Sequence, residues 1–259
     1  LAKGYKVAGY DRTQSPLTTE LKTEGLEIVY EESVESIPDY CRNPETTLVV
    51  YTPAIPASHA GLVYFREHGF RVVKRAELLG LITQSSKGLC FAGTHGKTTT
   101  SSMAAHIFHE SPIGCNAFLG GILRNYNSNL ILSEQSPFTV IEADEYDRSF
   151  HWLHPYMAVV TATDPDHLDI YGTEEAYLES FAHFTSLIQP GGCLIMKKGI
   201  KLVPSVKENV KIYTYSARDG GDFHAGNIRI GDGTIVFDFV MPEGSVADIE
   251  LGVPVEINI

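Results

Sequence analysis

Short apolar runs alternate with amphipathic stretches along the first third of the chain. Four of the runs predict short buried strands, and three of the stretches between them predict helices. Strands that alternate with helices favour a parallel sheet and an α/β fold. The predicted strands are residues 6–11, 26–30, 47–53 and 70–75, and the predicted helices are residues 17–25, 33–41 and 58–69.

A second α/β unit is predicted to begin near residue 88, after a segment at 76–88 that predicts a helix and a linker. Its first strand, residues 89–93, leads directly into a Gly-Lys-Thr sequence. Apolar runs predict later strands, and β-like runs continue after residue 210. These runs are residues 138–144, 157–164, 192–198, 211–216, 223–230 and 234–241.

A helix over residues 173–188 has the clearest helical periodicity. Its apolar residues follow the i, i+4, i+7, i+11 spacing of one helical face, so we expect them to lie in the core. Thr173 is expected to cap the N-terminus, because two glutamates follow it in the first turn. The apolar residues at this spacing are Tyr177, Phe181, Phe184 and Ile188.

Composition and charge argue against two broad classes of protein. Of the 259 residues, 43% are hydrophobic, and no apolar run approaches the roughly 18 residues of a membrane span. The net charge of −12 argues against a general nucleic-acid binder, which needs a basic face. Such a chain can still bind an anionic nucleotide locally, through backbone N–H groups, one or two cations and a metal.

The cysteines predict a cytosolic protein. The four of them are scattered and form no C-x-x-C pair, so we expect reduced, structural thiols. They are Cys41, Cys90, Cys115 and Cys193.

A phosphate-binding loop is predicted at residues 93–99, G-T-H-G-K-T-T, although its spacing is short. The usual loop has a glycine five residues before the glycine of Gly-Lys, and that position is Phe91 here. Glycines allow backbone N–H groups to turn towards phosphate oxygens, and the helix N-terminus adds partial positive charge. Lys97 is expected to bridge the β- and γ-phosphates, and the Thr98 hydroxyl to hold Mg²⁺. The alternative is a chance Gly-Lys-Thr at a helix start. The following helix is expected to carry Met103, Ala104, Ile107 and Phe108 on one side.

Two acidic segments follow later strands. Residues 142–147, E-A-D-E-Y-D, and residues 164–169, D-P-D-H-L-D, both come at predicted strand ends. The carboxyl ends of parallel strands form the ligand-binding edge of an α/β sheet, and carboxylate oxygens suit Mg²⁺. The histidine beside two acids is a candidate metal ligand. Taken singly, these segments could be a solvated acidic loop and a structural histidine, but their shared sheet edge favours one site.

These motifs together resemble those of the Mur ligases, the cytosolic ATP-dependent enzymes that build the peptidoglycan peptide. The family's phosphate loop has the same short G-T-x-G-K-T form. The resemblance covers essentially the whole chain. The segments that carry it are GTHGKTTTSSM, CNAFLGGIL, IEADEYDRSF, DPDHLDIYGT and, near the front, VVYTPAIP.

The resemblance implies two domains. Residues 1–87 would form a Rossmann-like UDP-sugar-binding domain, and residues 88–259 a central ATP-binding domain of the P-loop ATPase type with additional β-strands. We expect the N-terminal glycine-rich turn and the C-terminal domain of the family to lie outside this chain. The piece alone is therefore expected to be inactive.

The resemblance also implies roles for individual residues. Lys97, Glu142 and His167 match catalytic positions, and Thr98, Glu142 and His167 match the Mg²⁺ ligands. The ATP-binding positions are Gly93, Thr94, His95, Gly96, Lys97, Thr98, Thr99 and Asn258, the last of them near adenine. The substrate-facing positions are His95, Gly120, Gly121 and Glu145.

Within the family, the motifs look most like those of members that add L-alanine to UDP-N-acetylmuramate. In that reaction a substrate carboxylate attacks the γ-phosphate, and an amine then displaces phosphate from the acyl phosphate.

One alternative is a ligase that joins a recycled tripeptide to the same UDP-sugar. A second is a nucleotide-binding module without ligase activity. A folate-type synthetase shares the ATPase core but would not have a UDP-binding front domain. ATP and Mg²⁺ are the implied cofactors, and no nucleic acid or membrane partner is expected.

Overall fold

The computed structural model describes residues 1–218, 220–231 and 233–252, and the chain divides into two compact units, Leu1–Leu78 and Leu79–Ile259. The first unit contains two parallel strand pairs, β1 with β2 and β3 with β4. Its strands are β1 (Ala8–Tyr10), β2 (Glu27–Val29), β3 (Leu48–Tyr51) and β4 (Arg71–Lys74), and its helices are α1 (Pro16–Thr23) and α2 (Ala60–Glu67). Helix α3 (Arg75–Gln84) begins in this unit.

The four strands predicted for the first unit are confirmed in position, but two expectations are wrong. Residues 33–41 form no α-helix, because the Arg42 guanidinium donates to the carbonyl oxygens of Val34 at 2.8 Å and Ile37 at 3.1 Å. Only a 3₁₀ turn forms there, at Asp39–Cys41. Strand β3 is also less buried than expected, since Leu48 and Val50 are each 40% exposed.

Within the described residues, the second unit has a ten-stranded sheet. Its order is β14-β13-β12-β11-β10-β9-β5-β8-β6-β7, parallel from β12 to β6 and antiparallel at both ends. The strands are β5 (Lys87–Ala92), β6 (Asn116–Leu123), β7 (Ser128–Ile131), β8 (Phe138–Glu142), β9 (Pro155–Val160), β10 (Cys193–Lys197), β11 (Lys211–Ser216), β12 (Phe223–Gly231), β13 (Thr234–Met241) and β14 (Gly244–Leu251). The helices are α4 (Lys97–Glu110), α5 (Leu168–Tyr171) and α6 (Glu174–Ser186), with a 3₁₀ segment at Tyr146–Trp152.

The prediction for α6 is confirmed in detail. Three of the four predicted core residues lie in α6 and Ile188 follows its end; all four are completely buried and belong to the largest apolar cluster, with residues of β5, β8 and β9. The Thr173 hydroxyl accepts a hydrogen bond from the Ala176 N–H at 3.2 Å and caps the helix. None of the helices in the described part of the chain is long and apolar enough to cross a membrane.

Replacing Thr173 with alanine is expected to destabilise the second unit by about 1 kcal/mol, because the cap is lost without any change in the core. Urea unfolding of the wild-type and Thr173→Ala proteins measures the difference. Ser186→Ala, at the half-buried last residue of α6, is the matched control and should change the free energy of unfolding by less than about 0.5 kcal/mol, because its hydroxyl bonds only the His183 carbonyl in a solvent-exposed contact. Equal stability of the two variants would contradict the capping role.

The apolar side predicted for α4 is wrong in part. Ile107 is 64% exposed, whereas the small residues Ser101 and Ala105 are completely buried. The helix therefore lies close to β6 and β8 through small side chains, and Ala104 and Phe108 pack at the margin of that contact. Strands β6, β7 and β14 were not predicted.

Candidate active site

The three predicted motifs lie at one edge of the ten-stranded sheet. Strand β5 lies between β8 and β9 and is parallel to both. The loop at residues 93–96 follows β5, residues 142–145 end and follow β8, and residues 161–167 follow β9. Because all three segments leave the carboxyl ends of adjacent parallel strands, they meet where α/β sheets bind ligands.

The loop after β5 is folded tightly against the segment after β9. The Thr94 N–H donates to the Ala162 carbonyl at 3.1 Å, and the Thr161 hydroxyl lies 2.5 Å from the His95 carbonyl oxygen. Gly93 has a φ of 135°, and a Cβ there would lie 2.2 Å from the Thr161 hydroxyl oxygen. The short spacing of the motif therefore produces a compact loop in which only glycine fits at position 93.

The Thr94 side chain ties the loop to α6. Its hydroxyl lies 2.7 Å from the Asp164 carbonyl oxygen and 2.8 Å from the Tyr177 hydroxyl. Burial raises the pKa of Tyr177, so this phenol stays protonated. The apolar pattern of α6 marked Tyr177 only as a core residue. Its hydroxyl is the one polar group among the four residues of that pattern, which is the signal that could have indicated a second role.

Lys97, the first residue of α4, is held by two acceptors. Its ammonium nitrogen donates to the Gly93 carbonyl at 2.9 Å and to Glu145 Oε1 at 2.8 Å. The Lys97 side chain is 15% exposed and that of Glu145 is 1% exposed. The lysine thus lies over its own loop, and the carboxylate predicted to face substrate is instead buried beneath it.

Thr98, Glu142 and the glycine pair of β6 form a second group of contacts. The Thr98 hydroxyl donates to Glu142 Oε1 at 2.9 Å, and the Gly120 N–H donates to Glu142 Oε2 at 2.9 Å. A Cβ at Gly120 would lie 2.6 Å from the carboxylate, and one at Gly121 would lie 2.9 Å from Thr98 Cγ2. Both glycines therefore leave room for the Thr98–Glu142 pair, which sequence reasoning did not anticipate.

His167 lies beside the Lys97–Glu145 pair. Its Nε2 is 4.0 Å from Glu145 Oε1, and its Nδ1 is 3.8 Å from Asp166 Oδ1. The residue has a φ of 51°, a conformation that side-chain-bearing residues seldom adopt. Its ring packs edge-on against Tyr146 at 5.2 Å and remains 32% exposed.

The oxygen donors at this edge of the sheet suit a cation that is also held by a nucleotide. Among the described residues, no three His, Cys, Asp or Glu side chains converge closely enough to hold a metal alone. The Thr98 hydroxyl and the Glu142 carboxylate are adjacent oxygen donors, the chemistry that Mg²⁺ prefers. Mg²⁺ usually takes its other ligands from water and phosphates, so a partial protein ligand set suits it.

The remaining predicted residues are less informative. His95 and Thr99 are exposed at the loop and the start of α4. Asn258 lies outside the described residues. The cysteines are free thiols, and Cys90 and Cys115 are buried.

Comparison with known proteins identifies the family. The sequence model of the Mur ligase middle domain matches residues 91–259, and that of the Mur ligase family catalytic domain matches residues 1–87. The chain is 66% identical over 259 residues to a UDP-N-acetylmuramate–L-alanine ligase of Parabacteroides distasonis, and 64% identical to that of Phocaeicola vulgatus. All of the chain is covered in both comparisons, and it spans 56% of the length of each relative.

Solved structures support the same fold. The UDP-N-acetylmuramate:L-alanyl-gamma-D-glutamyl-meso-diaminopimelate ligase from Neisseria meningitides superposes with a TM-score of 0.81 at 21% identity, covering 99% of this chain and 84% of that one. The UDP-N-acetylmuramate-alanine ligase from Thermotoga maritima has a TM-score of 0.76 at 22% identity, and the match covers 98% of this chain and 56% of that one. The predicted α/β fold is thus confirmed, and the chain belongs to the Mur ligase family.

Proposed function

We propose that this chain is part of an ATP-dependent ligase that joins L-alanine to UDP-N-acetylmuramate in peptidoglycan precursor synthesis. The observation that carries the proposal is the contact between the phosphate loop and two acidic strand ends, Lys97 with Glu145 and Thr98 with Glu142. The identity of 66% to a relative bearing that name supports the choice of reaction.

The nucleotide would bind at the N-terminus of α4. Helix α4 begins at Lys97, and the first N–H groups of a helix have no partner within it, so that end of the helix favours an anion. Lys97 places a cation beside the same loop. These groups act locally, so they suit a triphosphate even in a chain with a net charge of −12.

Thr98 and Glu142, with His167 nearby on the same edge, would hold Mg²⁺. A bound Mg²⁺ supplies charge neutralisation between the anionic triphosphate and the anionic nucleophile. The Glu142 carboxylate accepts hydrogen bonds from the Thr98 hydroxyl and the Gly120 N–H, which keeps the Thr98 and Glu142 oxygens together. The oxygen donors are therefore held in position by the protein itself.

The reaction proceeds by two displacements. A carboxylate oxygen of UDP-N-acetylmuramate attacks the γ-phosphorus of ATP, and the bond from that phosphorus to the bridging oxygen of ADP breaks. The nitrogen of L-alanine then attacks the carbonyl carbon of the acyl phosphate, loses a proton, and inorganic phosphate leaves as the amide forms. Lys97 and the loop amides position and neutralise the transferred group, as in phosphoryl transfer generally.

The UDP-sugar would approach His95 and the Gly120-Gly121 pair. His95 and Gly120 are exposed beside the Thr98–Glu142 contact, so both are accessible to a ligand at this edge. The partners of the protein would then be small molecules in the cytoplasm. Glu145 would affect substrate only indirectly, because its carboxylate is buried.

Product formation by the purified full-length protein tests the proposal. UDP-N-acetylmuramate, ATP and Mg²⁺ are supplied with either L-alanine or the tripeptide, and amide product and phosphate are both measured. We expect product with L-alanine and little with the tripeptide. Preferential use of the tripeptide would instead support the recycling reaction, and nucleotide binding without product in either case would support a non-catalytic module.

Replacing Glu142 with glutamine is expected to raise the Mg²⁺ concentration needed for half-maximal turnover by roughly tenfold or more, because one of two anionic oxygen donors becomes an amide nitrogen. Mg²⁺ titrations of wild-type and Glu142→Gln proteins at saturating ATP measure the shift. Glu174→Gln, at a half-exposed carboxylate that pairs with Lys201, serves as the control and should leave the titration unchanged. An unaltered Mg²⁺ requirement in Glu142→Gln would remove this residue from the metal site.

A further inference from the structure

Glu145 is the buried acidic group that the proposed reaction does not use directly. We infer that Glu145 is a positioning residue, the fixed counter-ion that sets the orientation of Lys97 towards the transferred phosphate; this inference rests on the proposed function. The carboxylate is held beneath the lysine and does not itself touch substrate.

The burial of Glu145 is the first observation. The residue is completely buried, and Lys97 is its closest cationic partner at 2.8 Å. Its second oxygen, Oε2, is buried with no hydrogen-bond partner among the described residues. An ionised carboxylate with an unsatisfied oxygen is unfavourable away from water. A group kept in the site at such a penalty is more readily explained by function than by stability.

The main chain of Glu145 is anchored from behind, which is the second observation. The Tyr171 hydroxyl donates to the Glu145 carbonyl oxygen at 2.5 Å. Burial raises the pKa of Tyr171, which keeps that hydroxyl protonated as a donor. The Arg148 guanidinium lies over the Tyr171 ring at 4.8 Å, and the Ser180 hydroxyl lies 3.4 Å from the phenol oxygen. The carboxylate therefore projects from a backbone that is fixed independently of Lys97.

The donors of Lys97 supply the third observation. An ammonium group has three N–H donors. One is directed to the Gly93 carbonyl and one to Glu145 Oε1, so a single N–H remains for a phosphate oxygen. With both other donors fixed, the direction of the third is determined. The pair thus makes Lys97 a directional contact, and misplacement of such a group by about 1 Å can lower a rate about 100-fold.

Glu145→Gln keeps an acceptor for Lys97 but removes the charge that holds it. We expect kcat to fall about 10- to 100-fold, whereas the Kd for ATP stays equal or becomes tighter because a negative charge has been removed beside the triphosphate. The KM for L-alanine and the KM for UDP-N-acetylmuramate should change by less than about twofold. Tyr171→Phe, which removes only the hydroxyl that anchors Glu145, should lower kcat by a smaller factor with the same unchanged KM values.

Steady-state kinetics and calorimetric titration with ATP and Mg²⁺, on the full-length protein, give these numbers. Glu174→Gln, at a half-exposed carboxylate paired with Lys201, is the matched control. Unchanged kcat in Glu145→Gln would overturn the inference. A raised KM for L-alanine or the UDP-sugar would also overturn it, since that result indicates direct substrate contact. A Kd for ATP that weakens in parallel with kcat would count against it too, because it indicates a general structural role.

The titration separates failure of this inference from failure of the proposed function. If the wild-type protein forms no product with L-alanine but binds ATP, the proposed function fails, and the Kd comparison still tests the counter-ion role. If Glu145→Gln is poorly folded, Tyr171→Phe provides the same test, because its ring packing is retained. Unchanged kcat in that variant would count against the inference.

Discussion

Lys97→Met is expected to lower turnover by roughly 100- to 1000-fold. The lysine contacts the Gly93 carbonyl of the phosphate loop, and loss of a preorganised charged contact to a transferring group has an effect of about this size. Methionine preserves much of the length and apolar volume of the side chain, so the fall in turnover reports the loss of the positive charge. Steady-state assays with ATP, UDP-N-acetylmuramate and L-alanine measure it.

The same substitution is expected to destabilise the second unit by about 3 kcal/mol, because it leaves the Glu145 carboxylate buried without its ionic partner. Adding Glu145→Gln to Lys97→Met should recover about half of that loss or more, since no unpaired charge then remains. Activity should not recover in the double variant. Urea unfolding alongside the activity assay therefore separates the two roles of Lys97.

Lys201→Ala is the matched control for Lys97. Its side chain is 72% exposed and pairs with Glu174 at the surface, and such pairs contribute little to stability. Turnover should stay within about twofold of wild type, and the free energy of unfolding should stay within about 0.5 kcal/mol of it. Turnover of Lys97→Met within about twofold of wild type would eliminate its role in phosphate transfer.

Gly93→Ala is expected to destabilise the second unit by about 3–5 kcal/mol. A Cβ at this position meets Thr161 Oγ1 at 2.2 Å and the Ala162 nitrogen at 2.8 Å, and the φ of 135° is strained for any residue with a side chain. The Tm should fall by about 10 °C or more. Affinity for ATP should fall as well, since the loop can relieve the clash only by moving away from the segment after β9.

Gly96→Ala is the matched control, since it tests positive φ without a clash. Its φ is 82°, and the nearest atom to an added Cβ is at 3.8 Å. We expect a loss of about 1–2 kcal/mol, from backbone conformation alone. Equal effects of the two substitutions would show that the close approach of Gly93 to Thr161 is unimportant.

Sequence reasoning located the site because the site follows from local patterns. Buried parallel strands are short apolar runs, and each functional segment directly follows one of them, so the order of these segments along the chain is enough to predict a shared edge. The Thr173 cap and the apolar face of α6 could be predicted for the same reason, because both depend only on residues that are close together in the sequence. The pairing of Lys97 with Glu145 was not accessible in this way, because it depends on how two distant segments approach each other.

The errors have physical causes as well. Helix α4 packs through Ser101 and Ala105, so the large residues that dominate a periodicity analysis do not mark its buried side. Strand β14 is mostly exposed and carries no run of buried residues, which removes the signal used to find strands. In the segment at 33–41, one arginine side chain satisfies carbonyl groups that a helix would have paired.

The position of β5 between β8 and β9 has a consequence for synthesis of the protein. Residues 88–92 are buried in the folded sheet, yet both strands that pair with them lie far along the chain. A ribosome that adds about 5–20 residues per second needs roughly 3–14 s to make the chain from Ala92 to Val160. Until β8 has been made, the strand has neither partner and can pair with other nascent chains. We therefore expect the segment that later supports the phosphate loop to benefit from chaperone protection while translation continues.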